Sequence, residues 1–116
     1  MFTVVVVTGW SSAYPNPITF KAGQSLKTFE QDEEYPGWIR TRTTDGNEGW
    51  APMQYIDCNS EGTATALRDY CAHELSTVIG QRLVVREMLN HWYLATTEAG
   101  ETGWVPCETT QRWDVG

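Results

Sequence analysis

Two stretches of this chain carry the same residues at the same spacing. The first holds Trp38, Gly46, Gly49, Trp50 and Pro52. The second holds Trp92, Gly100, Gly103, Trp104 and Pro106, each 54 positions further on. Upstream, Gly23-Gln24 and Leu26 are answered by Gly80-Gln81 and Leu83 at an offset of 57, so the three-residue change falls in the loop between. Five identities at one offset, two of them Trp, constrain the 116 residues to two copies of one unit of about 50–60 residues. Units of that size fold alone but are marginal.

The local pattern within each copy is that of short strands. Leu83–Arg86, Trp92–Ala95 and Gly103–Pro106 alternate in polarity, and Asp45-Gly46 and Ala99-Gly100 lie between such stretches as hairpin turns. The β-branched run after Met1-Phe2 reads as a further strand. No helix of three turns with caps is expected; residues 64–74 lack a continuous apolar stripe. The expectation is an all-β chain of two small five-stranded barrels in tandem. The division runs 1–57 for the first, 58–64 for a polar, glycine-containing linker, and 65–116 for the second with its C-terminal tail. Gly23 and Gly80 are expected to be structural turns.

Charge narrows the function. The net charge is −7, shared as −3 over residues 1–58 (4 bases, 7 acids) and −4 over the rest (4 bases, 8 acids). No basic face large enough to neutralise several phosphates is expected, which argues against nucleic acid and favours basic partners. The opening apolar run is too short to span a membrane and lacks the flanks of a signal peptide, so the expected location is cytoplasmic. Cys58, Cys71 and Cys107 are odd in number and widely spaced, as expected of reduced thiols.

The ordered set of motifs resembles the Src-homology-3 (SH3) family. The second copy opens with Ala66-Leu67-Arg68-Asp69-Tyr70, similar to that family's Ala-Leu-Tyr-Asp-Tyr. It continues through Glu74-Leu75-Ser76 and Gly80-x-x-Leu83 to Trp92 and Gly103-Trp104-Val105-Pro106. The first copy is similar from Ile18 through Trp38 to Gly49-Trp50-Ala51-Pro52-Met53-Gln54-Tyr55, with Trp10 at the place of the second opening Tyr. The resemblance implies a strongly bent five-stranded barrel in each copy. It also implies an aromatic groove for proline-rich, extended peptides. A polyproline II helix is already stiff and loses little entropy on docking, while flat rings form slots and an indole N–H meets a peptide carbonyl.

Carried over, the resemblance implies a first groove of Trp10, Trp38, Trp50, Pro52 and Tyr55, with Tyr14 adding contact area. Asp32, Glu33 and Glu34, in the loop before Trp38, are the candidate selectors of a flanking Arg or Lys. Thr8 replaces the first opening Tyr. A second groove would hold Tyr70, Trp92, Trp104 and Pro106. There Arg68 and Thr109 replace two tyrosines, and His73 and Glu74 supply the polar candidates. The first groove is therefore expected to carry most of the binding. Trp50 and Trp104 also have a plain reading as core, and Trp113 as a cover for the second copy.

Neither a catalytic set nor a metal site is expected. Cys71 and His73 lack an orienting third group, the 32–34 acid run lacks the pattern of a calcium loop, and no phosphate-binding glycine loop precedes a helix. No cofactor is expected. The leading reading is a non-enzymatic adaptor module for a protein or peptide with a proline-rich, basic-flanked segment. The alternatives are a structural subunit with a permanent aromatic interface, a cell-wall-binding module of the bacterial type, and a cation cage for a methylated lysine.

Overall fold

The computed structural model describes residues 1–12, 16–59 and 61–113. Their regular structure is β-strand, with two single-turn 3₁₀ helices, Met53–Tyr55 and Cys107–Thr109, and no α-helix among the described residues. The strands are β1 (Phe2–Val6), β2 (Thr19–Phe20), β3 (Ser25–Gln31), β4 (Trp38–Arg42), β5 (Glu48–Pro52) and β6 (Ile56–Cys58). They continue with β7 (Thr63–Ala66), β8 (Tyr70–Cys71), β9 (Arg82–Leu89), β10 (Trp92–Thr97), β11 (Thr102–Pro106) and β12 (Thr110–Arg112). Two five-stranded sheets result, ordered β5-β4-β3-β7-β6 and β11-β10-β9-β1-β12, beside a ribbon of β2 with β8. The all-β class and the pair of small five-stranded barrels agree with the repeat.

The boundaries differ from the expected ones. One compact unit is continuous, Asn16–Ala72; the other is split, Met1–Pro15 with His73–Gly116. Each opening strand closes the sheet of the other copy. β1 lies between β9 and β12, with Val4 opposite both Leu83 and Arg112. β7 lies between β3 and β6, with Ala64 opposite both Leu26 and Cys58. Of the stretch expected as a linker, Cys58 ends β6 and Thr63 and Ala64 open β7, inside the continuous unit. Gly62 turns at φ +77°, the Asn59 N–H donates to the Thr63 carbonyl at 3.0 Å, and the Asn59 side-chain oxygen accepts from the Thr63 hydroxyl at 2.6 Å. β7 follows β6 after this short loop, so pairing the two closes little chain.

Burial alternates along the strands as the pleat requires. Val4 and Val6 point inward with Leu75, Leu83, Val85, Ala95 and Val105, which form the core of the split unit. Ile18, Phe20, Leu26, Ala51, Ile56, Ala64 and Ala66 are buried in the continuous unit. Two of the repeated glycines follow from packing. A Cβ on Gly103 would lie 2.9 Å from the His73 carbonyl oxygen and 3.2 Å from Leu75; one on Gly49 would lie 3.2 Å from Ile18. At Gly103 a Cβ would force the His73 backbone to move, and at Gly49 the Ile18 side chain would have to give slightly.

Candidate functional site

In the continuous unit, β4 and β5 place Trp38 opposite Pro52, and the 3₁₀ turn after Pro52 carries Tyr55 inward. The Tyr55 ring meets the Tyr70 ring at 5.8 Å between centroids and 75°, and Tyr70 meets Phe20 at 5.2 Å. The Tyr70 hydroxyl donates to the Trp50 carbonyl at 3.0 Å, which ties β8 to β5. The Arg68 guanidinium lies 4.3 Å from the centroid of Tyr55, a cation–π contact on one ring face. Trp38 is 5% exposed, Tyr55 and Tyr70 are each 7% exposed, Pro52 is buried and Trp50 half-buried.

The acidic loop has two parts. Asp32 shapes it: one carboxylate oxygen accepts the Glu34 N–H at 2.8 Å and the Tyr35 N–H at 3.1 Å, while its own N–H donates to the Trp38 carbonyl at 2.9 Å. Glu33 and Glu34 are exposed. Glu30 lies 3.3 Å from Arg40, which also holds Glu48.

In the split unit, the Trp10 indole N–H donates to Glu74 Oε1 at 3.0 Å, and the Trp10 ring stands edge-on to Trp92 at 5.7 Å and 83°. Trp10 bridges Thr77 and Glu74 bridges Trp104 through the backbone. Trp92 pairs with Pro106 in register; Trp92, Trp104 and Pro106 are buried. Burial pushes the Glu74 carboxyl above the ordinary carboxylate range, against the opposing pull of the Trp10 N–H and the nearby His73. His73 Nε2 lies 2.8 Å from Glu101 Oε2 at the surface. Trp113 is exposed and carries the Arg82 guanidinium 4.4 Å from its ring centroid.

The strand exchange therefore regroups the expected residues. Trp38, Trp50, Pro52 and Tyr55 lie in one unit with the 32–34 loop, where Trp38 faces Pro52 and bonds Asp32 through the backbone. Trp10 does not join them; it stands against Trp92, because β1 belongs to the split unit. Tyr70 leaves Trp92, Trp104 and Pro106 for the Tyr55 cluster by the same reasoning. Tyr14 lies outside the described residues. The sequence set omits Phe20, and it names Glu74 only as a polar candidate of the second groove. Glu74 was visible as the acid in Glu74-Leu75-Ser76, but its indole partner emerges only once Trp10 is assigned to the split unit. No group of three or more His, Cys, Asp or Glu able to hold a metal ion occurs among the described residues.

Two bent five-stranded sheets, a Trp–Pro register pair and a 3₁₀ turn after the proline define the SH3-like class. Residues 3–57, just under half of the chain, match the variant SH3 domain family, and a variant SH3 domain is found in that stretch. No curated protein and no solved structure matches the chain. An SH3-type domain supports a protein-interaction role with a protein partner in general terms.

Proposed function

We propose that the chain is a non-enzymatic interaction module whose continuous unit binds an extended, proline-containing peptide with a flanking Arg or Lys, in a reducing, cytoplasmic setting. The observation that carries this reading is the gathering of Trp38, Trp50, Pro52, Tyr55 and Tyr70 in one unit that also bears the exposed Glu33 and Glu34. Stiff polyproline segments dock on such rings at low entropic cost, and the two free carboxylates attract a flanking cation. A proline that uses the outer face of Tyr55 displaces Arg68, at a cost of about 0.5–1 kcal/mol for an exposed cation–π contact. The second repeat is proposed to be of the same family, with Trp10, Glu74 and Trp92 at its corresponding surface.

The test is an NMR titration of labelled protein with a proline-rich peptide carrying a flanking Arg. Shifts are expected on Trp50, Tyr55 and the Trp38 indole. Trp50→Ala, at the half-buried ring, is expected to abolish them while the remaining spectrum keeps its dispersion. Unchanged affinity in Trp50→Ala overturns the reading. The burial of Trp38, Tyr55, Tyr70 and Trp104, each under 10% exposed, favours a second reading in which these rings are packing and the chain is a structural subunit. A silent spectrum at millimolar peptide, with a mass that rises with concentration, supports that one.

A further inference from the structure

Register makes the two opening strands equivalent. Val4 faces Leu83 and Arg112 where Ala64 faces Leu26 and Cys58; Val6 faces Thr110 where Ala66 faces Ile56. The flanking backbone bonds repeat as well. The Val6 N–H donates to the Gln81 carbonyl at 2.8 Å, and the Ala66 N–H to that of Gln24 at 2.9 Å. The Gly80 N–H donates to the Val6 carbonyl at 2.8 Å, and the Gly23 N–H to that of Ala66 at 2.7 Å. Val7 and Leu67 donate to the carbonyls of Thr109 and Tyr55, both at 2.8 Å. The backbone hydrogen bonds therefore do not choose which opening strand closes which sheet.

The side chains differ, and they differ as matched sets. The split unit has Val4, Val6, Val85 and Val105 on its strands, accompanied by Thr77, Thr109 and Thr110. At the corresponding positions the continuous unit has Ala64, Ala66, Thr28 and Ala51, accompanied by Phe20, Tyr55 and Ile56. Bulk is moved from one group to the other. Close-packed cores accept neither the missing methyls nor the added ones. The polar and aromatic partners are matched too. Trp10 has Glu74 as acceptor, while the residue corresponding to Glu74 is Pro17, which has no acceptor side chain. Tyr70 has Phe20 and Tyr55, while their counterparts are Thr77 and Thr109.

We propose that these complementary sets make the strand exchange obligatory: the strand bearing Val4, Val6 and Trp10 is accepted only by the second repeat, and the strand bearing Ala64, Ala66 and Tyr70 only by the first. Each aromatic surface is then a joint product of both repeats, and a change in one opening strand acts on the surface of the other repeat. The inference does not depend on what either surface binds.

A competition between disulfides in the full chain tests it. Thr19 pairs with Cys71 in the ribbon, its hydroxyl 3.7 Å from the sulfur, so Thr19→Cys brings a second thiol within bonding reach. In a consecutive arrangement position 19 would instead face position 11. The full-length Ser11→Cys/Thr19→Cys variant is oxidised and its bridges mapped by mass spectrometry. The 19–71 bridge is expected to exceed the 11–19 bridge by about tenfold or more; a dominant 11–19 bridge overturns the proposal. Adding Val4→Ala, Val6→Ala, Ala64→Val and Ala66→Val is expected to raise the 11–19 share by about tenfold, and an unchanged ratio overturns it. Should that variant fail to fold, Val6→Ala and Ala66→Val are compared singly. Both are expected to lower the melting temperature, and a neutral or raised value for Ala66→Val overturns the matching.

Discussion

The continuous and split units share a frame and differ in what fills it. Trp38, Gly49 and Pro52 recur as Trp92, Gly103 and Pro106 because register, close approach and the end of a strand demand them in both. Residues that do not recur divide the labour. The continuous unit closes on rings, Phe20, Tyr55 and Tyr70; the split unit closes on branched aliphatics around Val4 and Val6. Their acids also differ. Glu74 is half-buried and its pKa is raised, whereas Asp45, Glu48 and Asp69 lie at the surface with lowered pKa values. Repeated positions thus specify a fold, and unrepeated ones specify which segment completes it.

The sharpest way to break this comparison is to cut the chain. Residues 16–72 hold every strand of the continuous unit, while residues 1–57 keep β1 and lose β7. The first fragment is expected to unfold cooperatively on heating, followed by circular dichroism. The second is expected to show no transition. If residues 1–57 melt as cooperatively as residues 16–72, the opening strands are interchangeable and the contrast between the cores has no consequence.

Core truncation comes next. Phe20 and Leu75 are fully buried, one in each unit. Phe20→Ala is expected to cost about 3–5 kcal/mol and Leu75→Ala about 2–5 kcal/mol, a large part of the stability of any small domain. Hydrogen exchange is the measurement. Each change is expected to lower protection mainly in its own unit. Equal loss in both units by either change means the chain unfolds as one block, and the two cores are then not separable.

The frame was legible in the sequence because periodic strands, glycine turns and repeated tryptophans are local signals. Gly46 and Gly100 do take positive φ, at +86° and +93°, between strands as expected. Strand assignment was not legible, because Val4 and Ala64 make the same backbone pairs and the resemblance puts each opening strand in its own repeat. The site inherited that error. Trp38, Pro52 and Tyr55 lie in one unit, as contiguous sequence suggests, whereas Trp10 and Tyr70 changed places with their strands. Glu74 was named as a polar candidate, but its indole partner was missed for a related reason, since Trp10 was placed with the other repeat.

Backbone substitutions sharpen the view that the frame is shared. Gly23 and Gly80 turn at φ +87° and +89° with open space where a Cβ would stand. Gly23→Ala and Gly80→Ala are each expected to cost about 1–2 kcal/mol by urea denaturation, equally in the two units. A several-fold difference means that the turns are held differently. Thr77 sharpens the opposite side. Its hydroxyl is buried without a hydrogen-bond partner among the described residues. Thr77→Val is expected to add roughly 1 kcal/mol, since it removes an unsatisfied polar group at nearly constant shape. A loss of stability would mean that the hydroxyl has a partner, such as bound water.

The smallest effect separates the units by pH. Burial holds the Glu74 carboxyl above its ordinary pKa of 4.5, so between that value and the folded pKa the native state binds more protons than the unfolded one. Its contribution to stability is therefore greatest at low pH and is lost as pH rises through the folded pKa. Glu74→Gln keeps an oxygen for the Trp10 N–H and cannot ionise, so the variant should gain on the wild type as pH climbs from about 4 and then level off. The continuous unit should respond with the opposite sign. The Ala22 N–H on Asp69, the Thr43 hydroxyl on Asp45, and Arg42 with Arg40 on Glu48 each favour the charged form. That support is present above the ordinary carboxylate range and disappears as pH falls through the depressed values. Urea denaturation of wild type and Glu74→Gln from about pH 3.5 to 7 reads the split unit. A difference that stays constant over the range means that Glu74 is solvated in both states, and its indole bond then has no electrostatic cost behind it.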